Sequence, residues 1–167
     1  MNSKDLIKKA RAGDRAAFAQ LYVGCKDALY RYAYFKLGNE PDAQDAVSSC
    51  VVEAYRGIAA LKDEKAFKSW LFRILYRECC DILRRRIHDR SCDSIDDIQI
   101  ADERSLSLAP ELSEALGILA EDEREIVLLA TVAQYNSREI ADMLGLKHGT
   151  VRSKLSRALA KMRTFLE

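Results

Sequence analysis

Glycine and proline are scarce in this 167-residue chain, which has seven and two of them. So few turn-forming residues argue against a disordered chain, a collagen-like chain and most all-β folds. No apolar run approaches the roughly 20 residues that a membrane-spanning helix needs, and the N-terminal segment lacks the apolar stretch of a secretory signal. The five cysteines are odd in number and contain no CxxC pair, which argues against a disulfide framework and a zinc site. We therefore expect a soluble, cytoplasmic protein without a metal or other cofactor.

Helix-forming residues dominate the composition, and a few residues that cap or end helices divide the chain into segments. The pair Gly13–Asp14 has the character of a helix stop followed by a helix cap, and Gly38 and Gly57 have the character of helix ends. Pro41 suits the first turn of a helix. Between these positions apolar residues recur every three or four places, which is typical of amphipathic helices. The sequence predicts an all-α fold.

After the two helices that end near Gly38 and Gly57, a third long helix is predicted from about Ala66 to Ile87. Its expected apolar face consists of Phe67, Trp70, Leu71, Ile74, Leu75, Cys79, Ile82 and Leu83. Aromatic residues alternate with basic ones along this segment, and cations beside stacking surfaces suit single-stranded or melted DNA. The aromatic residues of this pattern are Phe67, Trp70, Phe72 and Tyr76. The alternative is that Phe67 and Trp70 belong to the core, as their helical period indicates.

The net charge of +1 conceals three blocks of different sign. Residues 1–90 carry a net charge of +6, residues 91–125 a net charge of −9, and residues 126–167 a net charge of +4. Two basic blocks around an acidic one are typical of two polyanion-binding modules joined by a connector; chance clustering on solvated faces is the alternative. We predict an N-terminal domain over residues 1–90, an acidic flexible linker over 91–109 and a C-terminal domain over 110–167.

The clearest local pattern lies between residues 136 and 162. Asn136 followed by Glu139 fits a capping box at a helix start, and Gly145 supplies a tight turn. Val151 opens the apolar face of the next helix, which is expected to continue through Leu155, Leu159 and Met162. This order is a helix-turn-helix layout, in which the second helix reads the major groove of duplex DNA. An ordinary helical hairpin with a basic outer face is the alternative.

The second helix of this layout is predicted to expose polar and basic side chains of the types that reach phosphates and base edges. They are Thr150, Arg152, Ser153, Lys154 and Arg157. An enzyme is not expected, because the two histidines, His88 and His148, are far apart in the sequence. The sequence also contains no nucleophile, metal or glycine-rich phosphate motif.

Four segments, in this order, resemble a bacterial sigma factor of the extracytoplasmic-function (ECF) class in the sigma-70 family. Gly13–Asn39 is similar to the opening helices of the family, and Pro41–Arg56 resembles its polymerase-binding helix. Ala66–Arg86 resembles the helix that recognises and melts the minus-ten element, and Leu119–Arg163 resembles the reader of the minus-thirty-five element. The resemblance covers nearly the whole chain.

The resemblance implies a promoter-specificity factor that binds core RNA polymerase, reads duplex promoter DNA and captures a flipped base of the melted strand. It also implies control by an anti-sigma protein, often membrane-bound, while the chain itself does not insert into a membrane. The residues implied to contact polymerase are Asp42, Gln44, Asp45, Ser49 and Glu53. Those implied at minus-ten DNA are Lys62, Asp63, Glu64, Lys65, Trp70, Arg73, Arg77 and Arg84, although Trp70 has bracing as an alternative role. Those implied at minus-thirty-five DNA are Lys147, His148, Thr150, Arg152, Ser153, Lys154 and Arg157.

The polymerase-binding helix departs from the usual form of the family. Over Asp42–Val51 two acidic positions and an aromatic position of that form are replaced. This departure favours one alternative, a sigma-like decoy that engages an anti-sigma protein without driving transcription. Another alternative is a helix-turn-helix regulator that acts without joining polymerase, which leaves the first 90 residues unexplained.

Overall fold

The computed structural model of the protein describes residues 2–92 and 110–167. These two ranges hold eight α-helices and no β-strand, which confirms the all-α prediction. The helices are α1 (Ser3–Arg11), α2 (Arg15–Leu37), α3 (Glu40–Gly57), α4 (Phe67–Cys92), α5 (Pro110–Gly117), α6 (Glu121–Thr131), α7 (Ser137–Leu144) and α8 (His148–Leu166). Two compact units contain α1–α4 and α5–α8, each with its own core. Residues 93–109, which make up most of the predicted linker, lie outside the described residues.

Local chemistry sets the ends of the first helices, as the sequence predicts. The Asp14 side chain caps α2 by accepting a hydrogen bond from the Ala17 amide at 3.2 Å. Gly38 ends α2 in the left-handed conformation, at a φ of +81°, which glycine adopts without strain. Pro41 lies in the first turn of α3. By contrast, α4 continues to Cys92, beyond the predicted end near Ile87, because no glycine or proline interrupts it there.

The core of the first unit is made where α2, α3 and α4 pack together. Its largest fully buried side chains include Leu29, Tyr32, Leu71, Phe72 and Leu75. The rings of Tyr32 and Phe72 meet edge to face, with centroids 6.0 Å apart and an interplanar angle of 87°. The prediction of Phe72 as part of an exposed DNA-stacking pattern is therefore wrong. The side chain lies on the inner face of α4 because it packs on Tyr32 of α2.

Two cysteines complete this core. Cys79 is buried, as predicted from the apolar face of α4, and Cys50 is buried too; neither forms a disulfide. Burial raises the pKa of Cys50 to about 12, and the nearby carboxylate of Glu78 acts in the same direction. The Cys50 thiol is therefore protonated at neutral pH and behaves as a small apolar side chain.

The second unit has a separate core that includes Ile126, Leu128, Leu129, Ile140 and Val151, all of them buried. On α8 the apolar face differs from the predicted one in one position. Ala158 is fully buried and Met162 nearly so, whereas Leu159 is 41% exposed. The prediction of Leu159 as a core residue is wrong because a step of seven residues from Val151 keeps the helix face, while a step of eight rotates away from it. The short side chain of Ala158 also lets α8 approach α6 and α7 closely.

The turn between α7 and α8 matches the predicted helix-turn-helix geometry. Asn136 and Glu139 form both hydrogen bonds of a capping box, each at 2.9 Å, at the start of α7. Gly145 ends α7 in the left-handed conformation, at a φ of +67°. These two local signals fix where α7 begins and ends, and therefore where α8 can begin.

We expect Asn136→Ala to lower the free energy of unfolding of the second unit by about 1 kcal/mol. The substitution removes the side-chain oxygen that accepts a hydrogen bond from the Glu139 amide, whereas the bond from the backbone amide of residue 136 to the Glu139 carboxylate does not depend on that side chain. Thermal unfolding of the full chain, followed by circular dichroism, measures the change. Asn136→Ser is the matched control, since serine caps helices about as well as asparagine, and equal losses in both variants would contradict a capping role.

Candidate functional site

The outer face of α3 carries the residues predicted to contact a protein partner. Gln44, Asp45, Ser49 and Glu53 are all exposed. The Gln44 amide donates a hydrogen bond to the Glu40 carboxylate at 3.1 Å. This helix therefore presents a mixed polar and acidic surface to solvent.

Asp42 is half-buried, whereas the other predicted residues of α3 are exposed. Its carboxylate accepts hydrogen bonds from the Arg86 guanidinium, including one at 2.9 Å from Nε, and one from the Asn39 amide at 3.2 Å. Burial of the carboxyl group acts to raise its pKa, but the bonds from Arg86 and Asn39 outweigh this effect and hold the pKa below its usual value. Asp42 thus joins the start of α3 to α4, a role that sequence reasoning missed.

Two open grooves run side by side between α3 and α4. The first has a volume of about 450 Å³ and is lined by residues that include Asp42, Asp45, Arg85 and Arg86. The second has a volume of about 500 Å³ and is lined by Ser48, Ser49, Val52, Glu53, Arg56 and Glu78. Ser48 and Ser49 lie on the boundary of both. Four of the residues predicted to contact polymerase therefore line these two grooves, namely Asp42, Asp45, Ser49 and Glu53.

The outer face of α4 carries the predicted basic residues Arg73, Arg77 and Arg84, all exposed. Arg77 forms an ion pair with Glu53 of α3 at 2.9 Å, and Arg84 forms one with Asp81 at 3.3 Å. Glu53 is predicted to contact polymerase and Arg77 to contact minus-ten DNA. Their ion pair therefore joins the two predicted surfaces. Arg73 makes no ion pair within the described ranges.

Glu78 adds a second carboxylate beside Glu53. Burial and a hydrogen bond shared with Glu53 raise the pKa of Glu78, with Arg77 acting in the opposite direction. A carboxyl group whose pKa is raised in the folded chain costs stability when it is ionised. The cost is present above the folded pKa and is relieved as the pH falls through it.

We expect Glu78→Gln to raise the free energy of unfolding of the first unit at pH 7 by roughly a few tenths of a kcal/mol. The reason is that glutamine removes the charge that burial and Glu53 disfavour. The gain should shrink as the pH is lowered towards 4, where Glu78 itself takes up a proton. Urea titrations of both chains at the two pH values measure this, and a gain that is independent of pH would contradict the assignment.

The loop before α4 holds the predicted base-pocket residues. Lys62, Asp63 and Lys65 are exposed, and Glu64 is half-buried. The Asp63 carboxylate accepts a hydrogen bond from the Lys65 amide at 3.0 Å, which fixes the short helical turn Glu64–Ala66. This turn leaves both lysine side chains on the outside.

The aromatic residues after this loop lie against other residues of the first unit. The Trp70 indole is half-buried and lies near Phe67, with ring centroids 6.1 Å apart. A Cβ atom added at Gly57 would lie 3.5 Å from Trp70 Cζ2, so the indole also covers the end of α3. Tyr76 is half-buried beneath the ammonium of Lys36, 4.7 Å from its ring centroid. These contacts favour the bracing alternative for Trp70.

The start of α8 presents the predicted duplex-reading residues. Lys147 occupies the N-cap position without a side-chain cap, so amides of the first turn are open to an external acceptor. Arg152, Ser153 and Arg157 are exposed, whereas His148 and Thr150 are half-buried. Lys154 is set apart from this group, because it forms an ion pair with Asp122 at the start of α6.

Sequence reasoning missed the acidic partners of these cations. Asp122 and Glu123 of α6 pair with Lys154 and Lys161 of α8, and Arg86 of α4 pairs with Asp42. The only sequence signals were the acidic first turn of α6 and the arginine run at 84–86. Neither signal specifies a partner. In the part of the chain that the structure describes, no group of three or more His, Cys, Asp or Glu side chains is placed to hold a metal ion, and no helix is long and apolar enough to cross a membrane.

Comparison with known protein families finds a match for each of the two units. The family described as "Sigma-70 region 2" matches residues 21–88, and that described as "Sigma-70, region 4" matches residues 110–162. The ECF RNA polymerase sigma factor SigM of Mycobacterium tuberculosis is 31% identical over 166 residues, which cover 99% of this chain and 85% of SigM. The ECF RNA polymerase sigma factor SigW of Bacillus subtilis is 26% identical, with 98% and 96% of the two chains covered.

A solved structure agrees with these sequence relatives. The sigma factor RpoE of Bartonella quintana, crystallised with the anti-sigma factor NepR, superposes with a TM-score of 0.71 at 25% identity. The match covers 89% of this chain and 96% of that one. Since both units match sigma-70 regions in the family's order and the relatives align over almost the whole chain, the chain belongs to the sigma-70 family as an ECF RNA polymerase sigma factor.

Proposed function

We propose that this sigma factor binds core RNA polymerase through α3 and directs it to promoters through two DNA-contacting surfaces. The first surface is the loop 62–65 with the outer face of α4, and the second is the start of α8. The observation that carries the proposal is that these exposed faces fall within the segments matched by sigma-70 regions 2 and 4. The chain contributes recognition and DNA opening, with no catalytic step of its own, and acts in the cytoplasm with polymerase.

The proposed polymerase surface is centred on Gln44, Asp45 and Ser49, which are exposed. Asp45 and Ser49 also line the grooves between α3 and α4. Glu53 and Asp42 contribute at its two ends, where each already has an arginine partner. A partner that binds these two carboxylates must compete with Arg77 and Arg86.

At the minus-ten element the proposed contacts are to a strand whose base has left the stack. Taking a base out of a duplex costs a few kcal/mol, and capture of that base offsets part of the cost. Lys62 and Lys65 are exposed on either side of Asp63 and Glu64, so the loop offers both cations for phosphates and carboxylates for base amino groups. Arg73, Arg77 and Arg84 continue the basic track along α4, while Trp70 braces it from beneath.

At the minus-thirty-five element the start of α8 is proposed to enter the major groove. Arg152, Ser153 and Arg157 are exposed there, and His148 and Thr150 flank them on the first turn. The free amides after Lys147 favour a phosphate at the helix start. This arrangement is that of a recognition helix in a helix-turn-helix protein.

An anti-sigma protein is proposed to control the chain by covering these same surfaces. The support is the similarity to a sigma factor crystallised with its anti-sigma factor, whose fold this chain shares over 89% of its length. The mixed charges of α3 and the basic face of α4 offer such a partner both acidic and basic anchoring points.

Reconstituted transcription tests the proposed function. The purified chain and core polymerase are mixed with fragmented genomic DNA, and transcript starts are mapped. Discrete starts that require the chain and share an upstream sequence are expected. No starts from a folded chain would contradict the proposal and favour the sigma-like decoy.

Replacement of residues 62–65 by four alanines is expected to alter or abolish the minus-ten preference while polymerase binding remains. The reason is that this loop lies beyond the grooves between α3 and α4, so its loss leaves the polymerase surface intact. Transcript mapping and co-purification with core polymerase measure the two effects separately. If polymerase binding falls instead, the loop is not the base pocket.

A further inference from the structure

Two neighbouring acids at the start of α6 hold two lysines on one side of α8. The Asp122 carboxylate accepts a hydrogen bond from the Lys154 ammonium. The Glu123 carboxylate accepts two from the Lys161 ammonium, at 2.9 and 3.1 Å. The Lys154 side chain is only 28% exposed. These pairs tie α8 to α6 along one edge of the recognition helix.

The tied edge is distinct from the edge that is free to meet DNA. Lys154 and Lys161 are seven residues apart, so they lie on nearly the same face of α8. Arg152 lies about 160° around the helix axis from Lys154 and Ser153 about 100°, and both side chains are exposed. Within the described ranges Arg152 makes no ion pair, whereas Lys154 does. The basic residues at the start of α8 therefore differ in one respect that the sequence does not show, because Lys154 is paired with an acid of α6 and Arg152 is not.

We propose that Asp122 tunes duplex binding by keeping Lys154 on α6, so that Lys154 makes no phosphate contact while Asp122 is present. This inference rests on the proposed function of α8 as the reader of the minus-thirty-five element. It assigns a specificity role to a residue outside the helix-turn-helix. With fewer phosphate contacts, a larger share of the binding free energy comes from base contacts, and these distinguish promoters from other DNA.

The physical basis is counterion release. Each phosphate neutralised by a protein cation releases condensed counterions, so the slope of log affinity against log salt steepens by about 0.9 per contact. A lysine that remains paired with its own carboxylate releases none. The pair also keeps the Asp122 charge beside Lys154, in the second turn of the proposed recognition helix, where it would repel nearby phosphates. Removal of Asp122 therefore both frees a cation and removes a repulsion.

The experiment uses holoenzyme assembled from core polymerase and the full-length chain. Its binding to a promoter fragment found by transcript mapping is measured between about 50 and 200 mM KCl. The variants are Asp122→Asn, Lys154→Ala and the double variant. Glu121→Gln is the matched control, because it removes an acid from the same helical turn and Glu121 makes no ion pair among the described residues.

Asp122→Asn is expected to bind more tightly than the wild type at low salt, with a slope steeper by about 0.9. Its advantage should then fall about threefold across the salt range. The wild type, Lys154→Ala and the double variant should share one slope. In the chain without DNA, the carboxyl pKa of Asp122, followed by NMR, is expected to rise in Lys154→Ala.

Two results would overturn the inference. If the salt dependence of binding steepens equally in Glu121→Gln, the loss of any acid from this turn has the same effect, and release of Lys154 is not its cause. A flatter slope for Lys154→Ala alone would mean that Lys154 already contacts a phosphate in the wild-type complex. In both cases mapped starts remain, and the proposed function stands; loss of all starts with the wild-type chain would contradict the proposed function itself.

Discussion

Replacing Phe72 with alanine is expected to lower the free energy of unfolding of the first unit by about 3–5 kcal/mol. Phe72 is fully buried and meets Tyr32 edge to face. The substitution removes this ring contact and leaves a cavity where α2 and α4 pack. A loss of this size is a large part of the stability of a small domain, so the variant should be unfolded or nearly so at 37 °C.

The chain's single tryptophan gives a local probe for this measurement. Trp70 lies in the first unit, so its fluorescence follows the unfolding of α1–α4 without a contribution from α5–α8. Ile87→Ala is the matched control, because that side chain lies on α4 of the same unit and is 69% exposed, so its loss should change stability by less than about 0.5 kcal/mol. A stable Phe72→Ala chain that had lost only its binding to single-stranded DNA would restore the stacking interpretation.

Arg152→Ala is expected to weaken recognition of the minus-thirty-five element about ten- to a hundredfold. Arg152 is exposed in the second turn of α8. The proposed bidentate contact of its guanidinium to a base would distinguish sequences by about 1–3 kcal/mol. The loss should be largest on promoters with the preferred element. Footprints over that element and transcript yields from matched and altered promoters measure both the affinity and its sequence dependence.

Arg163→Ala is the control for this substitution. Arg163 is an exposed arginine of the same helix, about 16 Å further along its axis, so it shares the net charge change without lying at the helix start. If both variants weaken binding equally on every sequence, the effect is long-range electrostatics and Arg152 does not read bases.

The elements that sequence reasoning predicted best are those with a local cause. The Asp14 cap, the left-handed Gly38 and Gly145, and the capping box at Asn136 depend on residues within four positions of one another. The order of the helices follows from the same signals. For this reason the all-α fold and the helix-turn-helix were predictable from a single chain.

The features that were not predictable depend on how one helix faces another. The sequence places Phe72 beside exposed basic residues, and only the position of Tyr32 on α2 shows that the ring points inward. Leu159 and Ala158 are neighbours, and the close approach of α8 to its partners decides which of them is buried. Lys154 is a basic residue like Arg152 until Asp122, 32 positions earlier, is placed beside it.

The ion pairs between α3 and α4 have a consequence for redesign of promoter preference. Asp42 pairs with Arg86, and Glu53 pairs with Arg77, so ion pairs join the helix proposed to bind polymerase to the helix proposed to contact minus-ten DNA at two places. A substitution at Arg77 chosen to change the preferred minus-ten sequence leaves Glu53 without its ion-pair partner and is therefore expected to alter the proposed polymerase surface as well. Orthogonal sigma factors built on this chain therefore need positions 53 and 77 to be varied as a pair, in a library in which each new residue at 77 is tested with several residues at 53.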